Sequence, residues 1–253
     1  MRKFFTELKN RNRILYWFGW INLLASIICI FLTGVDDTII FGINAWIKPM
    51  KFFISITIFC WTMGWILDYL QQPRKTWIYS WMVIIVMTYE MIVICWQAAH
   101  GRLSHFNIAT PFYAILFAIM GIAITVLGIW TAYMTYLFFK KKDFTLPMHV
   151  VWGIRLGLII FIIYSFEGGL MAQQLAHTIG GKDGSPGLPL VNWSRQYGDL
   201  RIAHFLGMHA LQILPLVAWH FTATTKQVII LSVVYFVVVT AAFIQALMGL
   251  PLL

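Results

Sequence analysis

Four histidines, His100, His105, His204 and His209, lie in or beside long apolar runs that also hold Glu90, Gln97, Glu167 and Gln212. Imidazole is a common ligand of zinc, copper and iron, and a carboxylate beside it orients the ring or completes the coordination shell. His209, His204, His105 and Glu90 are therefore the expected ligands of a transition metal, and His204, His209, His105 and His100 those of a haem b, with redox work as the natural use. Spacing argues for restraint. His204 and His209 are separated by about 140° around a helix, so they do not converge as an i, i+4 pair does. In the structural alternative these rings hydrogen-bond to Glu90, Gln97 or backbone carbonyls. Two haems would need a second pair facing His209 and His220, and no other apolar run carries one.

The same residues support a different chemistry. Lys48, Lys51, Arg102 and Arg201 would ring the mouth of a funnel narrowing toward Glu90, collecting a small anion, a polar solute or protons, with Glu90, Gln97, Glu167 and Gln212 as the polar interior. Gly168, Gly169 and Pro215 are places where helices kink or open, or ordinary small-residue contacts. A third class is an intramembrane metallohydrolase, for which no HExxH or other zinc pattern is present, and Ser104 beside His105 does not make a nucleophile and its base. No catalytic residue is assigned.

The elements that must position these groups are membrane helices. With 60% hydrophobic and 11% charged residues in 253, the chain cannot cover a water-exposed surface with polar atoms. Seven runs reach the roughly 20 residues that a bilayer core demands: 14–34, 50–70, 76–99, 112–139, 149–171, 201–221 and 228–250. The fold expected is an all-α polytopic bundle, 1–253, with lipid as its principal partner. A net charge of +9 would suggest nucleic acid in a soluble protein, but here the cations sort by connection, so no nucleic-acid partner is expected. Eleven lie on the amino-terminal side of the membrane (Arg2, Lys3, Lys9, Arg11, Arg13, Arg74, Lys75, Lys140, Lys141, Lys142, Lys226) and six opposite (Lys48, Lys51, Arg102, Lys182, Arg195, Arg201). That bias places the amino terminus in the cytoplasm and the carboxyl terminus outside.

The first run is too long for a signal peptide's apolar region and reads as a retained helix. Residues 1–13 are expected to form a basic cytoplasmic segment, either lying along the interface with Phe4, Phe5 and Leu8 dipping in while Lys3, Glu7 and Arg11 stay wet, or serving as a merely basic tail. Residues 172–198, rich in Gly and Pro, form an irregular extracytoplasmic cap without a helical or strand period. Arg155, inside the fifth run, is expected to snorkel to the inner interface and pair with Asp68. Trp17, Trp20, Trp46, Trp77, Trp81, Trp96 and Trp219 form the interfacial belt, and Cys29, Cys60 and Cys95 read as small buried apolar residues.

Helical phase gathers the polar groups. Gln97 is about 20° from Glu90, and Arg201, His204, Phe205, Met208, His209 and Gln212 fall within an arc of about 140°, so both stripes should face the bundle interior. The stretches INAWIKPMKFF (43–53), HGRLSHFN (100–107) and GDLRIAHFLGMHALQ (198–212) resemble segments of uncharacterised multispanning bacterial membrane proteins. The resemblance covers most of the chain, implies that the outward segments act as one unit, and supplies no chemistry. The inner cell membrane is the expected location, and a homo-oligomer is compatible with these features. The sidedness is directly testable: in a background lacking the native cysteines, single cysteines placed near Lys141 and near Lys182 should label from opposite faces of the membrane, and labelling of both from one face would refute the topology.

Overall fold

The computed structural model describes residues 2–252. Seven long apolar helices are present: α2 (Arg13–Thr33), α3 (Ile47–Ile66, extended by a 3₁₀ turn, Leu67–Leu70), α4 (Pro73–Ala99), α5 (Pro111–Lys140), α6 (Met148–Gln174), α7 (Leu200–Phe221) and α8 (Thr225–Leu247), preceded by a short α1 (Arg2–Arg11). All seven expected spans are thus formed, and the protein is an all-α polytopic membrane protein. Helix α3 begins at Ile47, three residues before the expected run, so Lys48 as well as Lys51 stands in its first turns. The chain divides into two compact units, Met1–Leu127 and Gly128–Leu253, with the division falling inside α5.

In the first unit α1 packs against α2 and α3, and this differs from the expected interfacial segment. Leu8 is fully buried, Phe4 stacks on Trp65 at 4.8 Å and Phe5 meets Trp20 and Trp61 edge-on or tilted. The apolar face that sequence assigned to lipid therefore goes to aromatic side chains of the same unit. Arg11 is partly buried as well: it pairs with Glu7 at 2.9 Å and Asp68 at 3.7 Å and lies over the rings of Trp65 and Tyr69. Asn12 ends the segment. Its side chain caps α2 by accepting from the Leu15 amide, and its amide nitrogen donates to Ser80 Oγ on α4. Asp68 is thereby engaged by Arg11, and Trp20 packs against Phe5 and Trp61 and does not belong to the belt. Trp17, Trp77, Trp81 and Trp96 remain exposed, as a belt requires.

In the second unit Arg155 is 7% exposed. Its Nε and Nη2 donate to the Phe138 carbonyl at 3.0 and 2.9 Å, and Nη2 donates to that of Lys141 at 3.1 Å, with Phe139, Phe144 and Trp152 around the guanidinium. The last carbonyls of a helix lack intrahelical donors, so Arg155 closes the end of α5 where sequence expected a partner in Asp68. That role needs no snorkelling.

Helices α6 and α7 make the closest contact in this unit, and small residues set their distance. A Cβ on Gly157 would lie 2.7 Å from the Ala210 carbonyl oxygen, one on Gly153 would lie 2.7 Å from the Ala218 Cβ, and one on Gly207 would enter the Tyr164 ring. Tyr164 also joins Ile160, Ala203, Ala210, Leu214 and Val239 in a buried cluster shared with α8, and its hydroxyl reaches Thr240 Oγ1 at 2.9 Å. Between lipid-embedded helices, where hydrophobic driving force is absent, such close packing supplies much of the association. Replacing Gly157 with Leu should therefore destabilise the detergent-purified protein by about 1–3 kcal/mol, seen as a lowered thermal midpoint, whereas Gly121→Ala, which meets nothing within 4 Å, should be neutral. Equal midpoints for Gly157→Leu and wild type would show that this contact does not hold the unit together.

Candidate functional site

The antiparallel course of α6 and α7 brings residues near the end of the first opposite residues near the start of the second. Glu167 stands seven residues before the end of α6 and His204 four after the start of α7, roughly 10 and 6 Å from the helix ends. His204 Nδ1 lies 3.0 Å from Glu167 Oε2. The two side chains differ in access: the carboxylate is 5% exposed and the imidazole 24%. Gly168 makes room for the ring, since a Cβ there would lie 3.1 Å from His204 Cε1. Glu167 Oε1 is buried and has no hydrogen-bond partner. A His–Glu pair near the facing ends of two apolar helices, half-satisfied and reachable on its imidazole side, can take up and hand on protons or present an acceptor to a polar ligand.

The first unit holds a separate set of acceptors. Glu90 and Gln97, on one face of α4, are 6% and 1% exposed, and each leaves its Oε1 buried without a donor. Lys48 is close enough for its charge to act on Glu90 and lies 5.9 Å from the Phe52 ring centroid; Lys51 follows one turn on in α3. The expected polar stripe of α4 is thus buried among helices of its unit.

The remaining histidines have other engagements. His209 Nδ1 lies 3.3 Å from Gln212 Oε1 on its own helix, with Phe205 edge-on at 4.2 Å. His105 contacts Ser104 Oγ at 3.1 Å and sits near Phe52, Phe106 and Phe117. His100 Nδ1 lies 2.8 Å from the Trp96 carbonyl oxygen and stacks on that ring. Among the described residues no group of three or more His, Cys, Asp and Glu gathers in the manner of a metal centre. Gln245 donates to the Pro251 carbonyl and so serves the last turn of its helix.

The connection above the pair is more ordered than its composition suggests. Short strands β3 (Thr178–Ile179) and β4 (Gly198–Asp199) pair antiparallel, and Gly187 bridges Ser194. Two aspartates organise it. Asp199 caps α7 through the Arg201 amide, accepts from the Ser194 amide at 2.8 Å, and is paired by the Arg201 guanidinium at 2.6 Å; Arg201 also donates to the Asn192 carbonyl. Arg201 is in this way tied into the connection. Asp183 accepts from the amides of His177 and Thr178 and from the Thr178 hydroxyl, and contacts the His177 ring. Sequence reasoning passed over Asp183 because two-residue strands and a side-chain clamp leave no periodic signal; an acid set among glycines five residues after a Thr was the available hint.

Comparison with known proteins returned nothing: no family model, no curated protein and no solved structure matches this chain. That outcome accords with a resemblance confined to proteins without an established activity. Fold and composition define the class, a multi-pass α-helical membrane protein in contact with lipid.

Asp183 also makes the connection acid-sensitive. Burial opposes its ionisation, but hydrogen bonds and charge from His177, with those of Thr178, outweigh burial and hold the carboxyl well below the usual range. A group with a depressed folded pKa stabilises fully above its unfolded value of about 3.9, and that stabilisation is lost as pH falls through it toward the folded value. Residues 175–199 should therefore resist proteolysis at neutral pH and become cleavable by an acid-active protease below about pH 4. Asp183→Asn should raise cleavage already at neutral pH, and an unchanged neutral digest of that variant would refute the assignment.

Proposed function

We propose that this protein is a proton-linked membrane transporter whose titrating element is the Glu167–His204 pair. The observation that carries the reading is the buried carboxylate in contact with a partly exposed imidazole, its second oxygen lacking a donor. The imidazole exchanges protons with the side of the membrane that bears residues 175–199, and Glu167 receives them. A single proton shared by the two groups can rest as imidazolium with carboxylate or as imidazole with carboxylic acid, with equal net charge. Movement between these forms changes the local dipole without placing a net charge in the hydrocarbon. A second proton leaves the pair cationic, and this is the state that would draw in a small polar or anionic solute. In that state His204 Nδ1–H donates to Glu167 Oε2, the carboxyl proton sits on Oε1, and Oε1–H is the donor that meets the solute. The inner cell membrane remains the proposed location.

A second reading is favoured by one feature of the same geometry. A carboxylate on Nδ1 is the usual support for a histidine that binds metal through Nε2. His204 would then be a ligand of a transition metal or haem b oriented by Glu167, with His209, His105 and His100 as the further ligands proposed from sequence.

The experiments separate the two. In proteoliposomes with an entrapped pH-sensitive dye, wild type should carry proton flux under an imposed gradient, and Glu167→Gln and His204→Gln should each reduce it at least about tenfold, which corresponds to about 1.4 kcal/mol. Unaltered flux in both variants would overturn the proton reading. A Soret band or stoichiometric metal in purified wild type, lost in His204→Ala, would select the cofactor reading.

A further inference from the structure

Two of the three cysteines meet inside the first unit. Cys29 on α2 is 3% exposed, Cys95 on α4 is partly exposed, and both are free thiols. Their side chains are close enough to interact with each other. The helices make this contact consistent along their length. With α3 as the return helix, α2 and α4 run parallel, and they touch. Near their starts, Asn12 Nδ2 donates to Ser80 Oγ at 2.9 Å, both residues buried. Cys29 is seventeen residues beyond Asn12 and Cys95 fifteen beyond Ser80, so they stand roughly 25 and 22 Å above that mark, at nearly one height. Ser26, buried one turn before Cys29, keeps that face of α2 small and allows the backbones to approach. Both thiols lie about one turn from the helix ends that lead into 34–46 and 100–110. The charge bias puts that side outside the cytoplasm, where disulfides persist.

We propose that Cys29 and Cys95 are a redox pair that closes to an intramolecular disulfide tying α2 to α4. The oxidant is a disulfide, R–S–S–R. The more accessible Cys95, as thiolate, attacks one of its sulfurs, forming a mixed disulfide and expelling RS⁻. Cys29 thiolate then attacks the Cys95 sulfur, forming the Cys29–Cys95 bond and expelling the second RS⁻. The two thiol protons end on the two leaving thiolates, so the protein loses two hydrogens and two electrons as R–S–S–R becomes two RSH. Cys60, fully buried on α3, takes no part. Closure holds the outer turns of α2 and α4 together two residues from Gln97 and its unsatisfied oxygen.

The test treats the folded, full-length protein in detergent with dithiodipyridine, an apolar disulfide, quenches it with acid, and maps each cysteine by mass spectrometry. Wild type should yield a linked peptide pair containing Cys29 and Cys95, lighter by two hydrogens, with no pyridyl adduct on either. Cys29→Ser should instead trap a pyridyl adduct on Cys95, which establishes that the reagent reaches the site. A stable pyridyl adduct on Cys95 in wild type, a link from either residue to Cys60 or to a second chain, or free thiols at both positions after treatment would each overturn the proposal.

Discussion

The second unit depends on how closely two helices approach. Gly153 and Gly157 let the backbone of α6 reach the backbone of α7 around Ala210, Leu214 and Ala218, and Gly207 returns the accommodation by receiving the Tyr164 ring. About one turn beyond the Tyr164–Gly207 contact, the same spacing leaves Glu167 and His204 at hydrogen-bond distance, with Gly168 admitting the imidazole. In lipid, association gains little from burying apolar surface, since the solvent is as apolar as the side chains. Packing then sets the geometry, and the polar contact inherits its precision from residues that carry no chemistry.

The polar groups within the spans sort by how fully they are satisfied. Arg155 has carbonyl acceptors on two of its nitrogens and aromatic rings around it, so its charge is spread into a helix end that needed donors. Such a residue explains itself structurally. Glu167 has one oxygen engaged and one not, and Glu90 and Gln97 each leave an oxygen buried and unpaired. An unpaired buried acceptor costs roughly 1–3 kcal/mol on protein mutational scales, and a membrane helix could shed that cost by replacing the residue with Leu. The difference between Arg155 and these acceptors is the ground for assigning function to the latter and not the former.

Apolar run length made the helices legible, because the bilayer thickness imposes a single strong requirement on every span. The candidate site was legible in part: helical phase identified Glu90 with Gln97 as one face, and their place in apolar runs singled out Glu167 and His204. What periodicity cannot convey is partnership. Arg155 and Asp68 were matched by opposite charge, yet Arg155 met main-chain carbonyls, which have no sequence signature, and Asp68 met Arg11. The amphipathic face of α1 has the same pattern whether it meets lipid or Trp20, Trp61 and Trp65. Histidines counted as a cluster along the chain found different neighbours, Glu167 for His204 and Gln212 for His209, because a five-residue step turns the second ring away from the first.

The two readings of the Glu167–His204 pair differ in which edge of one imidazole performs the function. In proton transfer Nδ1 and the carboxylate are the reacting atoms, and Nε2 connects the pair to the aqueous side. In metal or haem binding Nε2 carries the bond and the carboxylate is a support, which requires that Glu167 stay ionised and that other ligands come within reach of the same ion. His209, on the same helix, has its Nδ1 engaged by Gln212 and its ring against Phe205, a position fixed by packing. The proton reading asks for no movement of His209. It uses the contact as it stands, and the unpaired Oε1 of Glu167 becomes the atom that meets a solute and not an unexplained cost.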